Sequence, residues 1–320
     1  DGFIDVVLLT DSTDPVVVAN VSVDLPGTAL GMRMAMDEQY IYNQGFSTSL
    51  ATNKTSIFDW VTDPLVPNLV ATISPSVSIN VGQPAWDLIV RRAESTYNNL
   101  LFGWNDTNKI KSYDITDPSS PVAIGRASLP GGEGLPETMA FASSTQRLYF
   151  AYDRYVGSST WIGYVPVNVD GTFGSVSTHL IHGTVDYVLQ GGVIFDSQYW
   201  LQIPTGNYMH GHSLANLTAT GGLIYPVPPG IVRPIVLGNN LIVGRTISSG
   251  LAYPIQIFDN TSPYPIMIGH AGSLGETITS MYLSPDSILY TVSAANLYSY
   301  DLTDLSAPVL LSTLALSAAP

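Results

Sequence analysis

Among side chains suited to bind a metal or move a proton near neutral pH, this chain offers five histidines: His179, His182, His210, His212 and His270. In "HGH", His210 and His212 stand two apart, so on a strand both imidazoles leave the same face, a chelating geometry for zinc or a similar ion. In "HLIH", His179 and His182 leave opposite faces. No carboxylate lies close in sequence to complete a shell or to orient an imidazole. A pair of half-buried strand histidines is therefore the competing reading of His210 and His212. Calcium has its own candidates in Asp114, Asp117, Asp301 and Asp304, which sit in "YDITDPSSPVAIG" and "YDLTDLSAPVLL". Neither EF-hand spacing nor a glycine-rich nonapeptide accompanies them. A turn accounts for the same residues: Asp and Thr side chains accept neighbouring backbone N–H groups, and proline ends the ladder. The expectation is no resident metal and no other cofactor.

Catalytic motifs are sparse. There is no cysteine, which removes thiolate nucleophiles, thiolate metal sites and disulfides together. No Gly-x-Ser-x-Gly elbow is present. The glutamates are Glu38, Glu94, Glu133, Glu137 and Glu276, none paired in a local motif, although carboxylates from distant segments could meet in a folded site. Asn-x-Ser/Thr sequons occur at Asn20, Asn53, Asn105, Asn216 and Asn260 and make these the glycosylation candidates. Asn53 and Asn105 fall in polar hairpin connections, whereas Asn260 falls within a tight turn.

The elements that would carry these residues follow from composition and repetition. The chain has 320 residues, 45% hydrophobic and only 11% charged, so it buries a large core. Its 11 Lys plus Arg against 25 Asp plus Glu give a formal net charge of −14, and three lysines (Lys54, Lys109, Lys111) are all it has. Such a surface repels phosphate backbones and anionic lipid, which argues against nucleic acid as a partner. Its polar coat must come from Ser, Thr, Asn, Gly and Tyr, a composition associated with extracellular and cell-surface proteins. No apolar run reaches the roughly 18 residues that span a bilayer, so no membrane insertion is expected in this segment. The opening "DGFIDVVLL" lacks a basic leader, and any signal peptide or anchor is expected to lie outside it.

The aspartate phrase recurs. Copies stand at "TDSTDPVVV" (Asp11), "FDWVTDPLVP" (Asp59), "YDITDPSSP" (Asp114), "FDNTSPYP" (Asp259) and "YDLTDLSAP" (Asp301), with weaker ones around Asn168 and Ser213. A period of 42 to 55 residues, with several short strands in each, is the signature of a β-propeller blade. The 28 glycines and 22 prolines break any window that could hold a helical pattern. The expected fold is all-β: one β-propeller domain over residues 1–320, with six or seven four-stranded blades and an N-terminal two-stranded half blade. "YDITDPSSPVAIG" also resembles the turn of LVIVD-repeat propellers. That resemblance is close at Asp114–Pro121, good at Asp59–Pro67 and Asp301–Pro308, partial at Asp11–Pro15 and Asp259–Pro265, and absent beyond strand pattern over about 160–250. It implies a propeller often found on secreted or surface proteins and fixes no activity.

Seven copies of the third-plus-outer strand pair stand against six of the inner-plus-second pair, because the chain is already in a third strand at "FIDVVLLTDSTDP". Three arrangements fit: six complete blades with a spare hairpin at about residues 1–20, seven blades with one short, or a blade completed by strands of another chain. The first two keep all edges within one molecule. The last makes the hairpin a coupling for homo-oligomers or filaments. The functional expectation is a non-enzymatic extracellular structural or binding propeller whose partners are itself, surface glycans or surface proteins. A carbohydrate-active hydrolase or lyase with its site at the channel mouth is the alternative, and a ligand-sensing domain of a larger receptor is a third.

Overall fold

A computed structural model of the chain describes residues 2–8, 13–23, 29–37, 39–47, 52–62, 67–73, 88–91, 99–106, 109–130, 134–154, 159–182, 190–195, 197–202, 208–217, 220–226, 232, 234–244, 253–261 and 266–316. Among these residues every regular element is a strand. The first two, β1 (Gly2–Leu8) and β2 (Val16–Val23), form a two-stranded sheet. Six four-stranded sheets follow, each wound in chain order from its first strand to its fourth.

The chain divides into two compact units, Asp1–Val6 with Val18–Asp186, and Val7–Val17 with Tyr187–Pro320. The first unit holds three blades. They are β3 (Ala29–Met36), β4 (Tyr40–Ser47), β5 (Thr52–Asp59) and β6 (Asn68–Ile73); then β7 (Ile89–Arg91), β8 (Leu100–Asp106), β9 (Lys109–Asp114) and β10 (Val122–Ser128); then β11 (Gly134–Ala142), β12 (Arg147–Arg154), β13 (Ser159–Pro166) and β14 (Ser177–His182). Blades of the second unit are β15 (Gln190–Phe195), β16 (Gln198–Gln202), β17 (Tyr208–Ser213) and β18 (Thr220–Pro226); β19 (Ile235–Leu237), β20 (Asn240–Gly244), β21 (Ile255–Asp259) and β22 (Ile266–Ala271); and β23 (Ser280–Leu283), β24 (Ile288–Val292), β25 (Asn296–Asp301) and β26 (Val309–Ala315). All pairings within the blades are antiparallel. The architecture is a β-propeller fold with six four-stranded blades, beside the two-stranded β1–β2 sheet.

The cores lie between neighbouring blades of each unit. Leu100, Phe102 and Ile110 of one blade meet Met139, Leu148, Phe150 and Val165 of the next, all buried. In the second unit Trp200 and Met209 pack on Leu241, Val243 and Phe258, and Ile242, Ile255 and Ile257 pack on Leu289 and Tyr300. Alternation does this: in β9 burial falls on every second residue from Lys109 to Ser112, after which Tyr113 is buried as well. Each fully buried Leu, Ile or Phe contributes about 2 kcal/mol.

Two backbone devices recur. The residue just after the third strand donates its N–H to the carbonyl just before the second strand in all six blades. The pairs are Trp60 to Gln39 (3.2 Å), Ile115 to Asn99 (3.0 Å), Val167 to Gln146 (2.9 Å), Leu214 to Ser197 (3.1 Å), Asn260 to Asn239 (3.0 Å) and Leu302 to Ser287 (2.9 Å). Three of the acceptors, Gln146, Ser197 and Ser287, are left-handed at φ 49°, 57° and 62°. This conformation costs about 1 kcal/mol for a side chain, and here it aims the carbonyl at its donor.

The second device is a bulge in the outer strand. Val70, Ile124, Ile268 and Leu311 each stand three residues after a proline and are skipped in the pairing to the third strand. Val70, Ile124 and Ile268 pack toward the cores. Preceding residues are left in solvent: Leu69, Val122, Ile266, Met267, Val309 and Leu310 are roughly half exposed, Val122 most at 59%.

Candidate functional site

The aspartate turns close on themselves. Asp59 Oδ1 accepts the N–H groups of Val61 (3.0 Å) and Thr62 (3.1 Å), while Oδ2 accepts the Thr62 hydroxyl (2.8 Å). Asp259 takes the Thr261 N–H (2.9 Å) and hydroxyl (2.8 Å), Asp114 the Thr116 N–H (2.8 Å) and Asp301 the Thr303 N–H (2.8 Å). The second aspartate of the phrase builds a further turn. Asp117 Oδ1 accepts the Ser119 N–H (3.0 Å) and hydroxyl (2.6 Å), and Asp304 Oδ1 accepts those of Ser306 (2.9 and 2.7 Å). Backbone and hydroxyl donors hold the Asp59, Asp301 and Asp304 carboxyls below the usual carboxylate range. The four calcium candidates therefore each commit one oxygen to their own turn. Between them Ile115 and Leu302 are buried, so the phrase also seats an apolar knob in the core.

In the drifted copies the cap moves. At Asn168 the carboxylate comes from Asp170, which accepts the Thr172 N–H (3.0 Å) and hydroxyl (2.7 Å), and Asn168 Nδ2 donates to the Thr172 hydroxyl (2.9 Å). At Ser213 the hydroxyl accepts the Ala215 N–H (3.2 Å). Both are the Asx and ST turns that the stronger copies use.

His210 and His212 lie on β17, opposite Leu201 and Tyr199 of β16. His212 is buried and His210 half-buried, where loss of solvent lowers the His210 pKa. Among the described residues no group of three His, Asp or Glu side chains comes together to hold an ion. His179 is half-buried on β14, and His182 ends that strand.

The sequons scatter. Asn20 lies in β2, Asn53 in β5 and Asn105 in β8, their side chains outside the described residues. Asn216 is exposed in the turn after β17, and Asn260 is half-buried in the turn after β21. Of the glutamates, the side chain of Glu276 is described, and those of Glu38, Glu94, Glu133 and Glu137 lie outside.

Glu276 belongs to a cluster that sequence reasoning missed. The Tyr298 hydroxyl donates a short hydrogen bond to Glu276 Oε1, the Asn296 amide donates to that hydroxyl (3.1 Å), and the Ser273 N–H reaches Glu276 Oε2 (3.4 Å). Burial first, then the charge of Glu276 and the neighbouring Tyr298, pushes the Tyr300 phenol above its usual range. Nearby in the chain, Tyr253 stacks on exposed His270 with ring centroids 3.6 Å apart. The cluster ties the linker after β22 to the third strand of the following blade. The signal in the sequence was "NLYSY", whose tyrosines alternate on one face of β25.

The N-terminal hairpin forms a sheet of two strands, where each blade has four. In each of the six blades the third strand, β5, β9, β13, β17, β21 or β25, is paired on both sides; β1, which precedes the first Asp-Pro turn, pairs among the described residues with β2 alone. After that turn Val16 is 46% exposed, and Val122, Ile266 and Val309, which follow the prolines before β10, β22 and β26, are exposed likewise.

No family model matches the chain, and no curated protein matches it. Solved structures do. A protein from Lactobacillus plantarum is similar at a TM-score of 0.59 and 12% identity, over 93% of this chain and 92% of that one. Sqt1 from Chaetomium thermophilum has a TM-score of 0.57 and 11% identity over 96% of this chain and 74% of its own. Hsv2 from Kluyvelomyces marxianus has a TM-score of 0.56 and 10% identity over 92% and 83%. Likeness at such identity speaks to fold alone, and the fold it supports is the β-propeller read from the blades.

Proposed function

We propose that this protein is a non-enzymatic, extracellular or cell-surface structural propeller of LVIVD-repeat type, which assembles with copies of itself through its N-terminal hairpin. The observation that carries the reading is the edge of β1, a strand of third-strand type that among the described residues has a partner on one side only. Unpaired edges of this kind are templates for strand addition, and proteins that stay apart blunt them. The scarcity of charge, with three lysines in 320 residues, supports an exterior setting. Accessible sequons such as Asn216 would add a sugar coat in a host that glycosylates asparagine.

Size-exclusion chromatography with light scattering on native material, followed by imaging of large species, tests the proposal. Rings or filaments are expected. A monomer of 34.3 kDa at all accessible concentrations would overturn it.

A further inference from the structure

Self-assembly through β1 leaves open which strand of a second copy completes it. The edges suited to that role are those of the outer strands β6, β10, β14, β18, β22 and β26, each paired on one side among the described residues. Most carry the features that discourage strand addition. β10 contains Arg126, β14 contains His179 and His182, β18 contains Gly221 and Gly222 and ends on Pro226, and β22 contains Gly269 and His270.

β26 carries no charged residue, histidine, glycine or proline, and its bulge at Leu311 is one that β6, β10 and β22 share. It reads "VLLSTLA", and no Asp, Glu, Lys or Arg occurs from Leu305 to Pro320. Its Val309 and Leu310 are 57% and 51% exposed, and Thr313 and Ala315 are exposed beyond the bulge. It is seven residues long, the length of β1. The nearest rival, β6, is uncharged but shorter, at six residues, and exposes one large apolar side chain, Leu69.

We infer that the outer edge of β26 is the receptor for β1 of a second copy of this chain, so that one molecule's hairpin extends another's last blade into a six-stranded sheet. The inference rests on the assembly reading above. Seven paired residues give a ladder about 23 Å long, enough to fix register between copies. The contact is head to tail, with different surfaces on the two sides, and therefore propagates into a ring or a filament rather than stopping at a two-fold dimer.

Absence of cysteine makes the test direct. Val6→Cys and Thr313→Cys are made separately, mixed, and treated with a short bifunctional maleimide. A covalent species of two chains, joined between position 6 of one and position 313 of the other and identified by mass spectrometry, is expected. In parallel, Thr313→Lys with Ala315→Lys should keep the circular dichroism of the parent and raise the concentration needed for assembly at least about tenfold. Val122→Lys on β10 should leave assembly as it was. If the parent assembles while the double lysine variant assembles equally well, or the cross-link joins β1 to another strand, the role of β26 is overturned and hairpin-driven assembly stands. A parent that stays monomeric overturns both.

Discussion

Gly269 of β22 lies against the carbonyl of Leu305 in the turn of the following blade, so closely that a Cβ on the glycine would overlap that oxygen. The neighbour is backbone, held by the Asp304 turn, and cannot swing aside. Gly125 occupies the same place after its own bulge and faces the Gly171 carbonyl of the next blade. Gly269→Ala should destabilise the protein by about 3 kcal/mol, as an overpacked core site does. Gly238→Ala is the contrast: its Cβ would meet nothing within 4 Å, so only its left-handed backbone (φ 59°) resists, at about 1 kcal/mol. Urea unfolding of both variants measures the difference.

Alkaline stability should depend on Tyr300. Its folded pKa is raised, so the phenol stays neutral in the protein while the unfolded chain ionises at about pH 10. The stabilisation is whole below that pH and declines as pH rises past it. Thermal melting from about pH 9 to 11 should show the decline in the parent and a shallower one in Tyr300→Phe.

His210 sets an acid-side dependence of opposite sign. Its folded pKa is lowered by burial, so the unfolded chain takes up the proton first. Stability is full above about pH 6.5 and falls as pH drops below it. His210→Gln should remove that phase. A later loss, beginning below about pH 4, belongs to Asp59, Asp170, Asp301 and Asp304, whose depressed carboxyls stabilise the fold above their unfolded pKa and release it as acid protonates them. Thermal melts from about pH 7.5 down to 3 separate the two.

Expression in a host that glycosylates asparagine should place sugar on Asn216, which is exposed, and leave Asn260 bare. Asn260 is half-buried and its N–H is bonded to the Asn239 carbonyl, which holds it in the turn. Site mapping by mass spectrometry reads the outcome, and occupancy of Asn260 without Asn216 would contradict it.

Blade boundaries were legible because the capping residue at Asp59, Asp114, Asp259 and Asp301 is also the last residue of its strand, so local chemistry and strand end coincide. Around 168 the cap is displaced to Asp170, inside a turn tightened by Gly171 at φ 84°, and the spacing rule that worked elsewhere points two residues early. The bulges at Val70, Ile124, Ile268 and Leu311 are marked in the sequence only by a proline three residues before each and a small residue after it, Ala71, Gly125, Gly269 and Ser312. At Gly269 the size is set by the backbone of the next blade, and at Gly125 by Ser112 Oγ of its own blade together with the Gly171 carbonyl of the next. The Glu276–Tyr298 pair was hidden for a related reason. Its partners are 22 residues apart and meet only once a linker folds onto a neighbouring strand.

The link from the end of each third strand to the carbonyl before the second uses atoms that every non-proline residue possesses. Its donors here are Trp, Ile, Val, Leu, Asn and Leu, and its acceptors Gln, Asn, Gln, Ser, Asn and Ser. A duplicated blade therefore inherits its closure without inheriting any particular side chain, and its descendants are free to exchange their signature residues one at a time. Ancestry in such a lineage erodes from the alphabet long before it erodes from the shape.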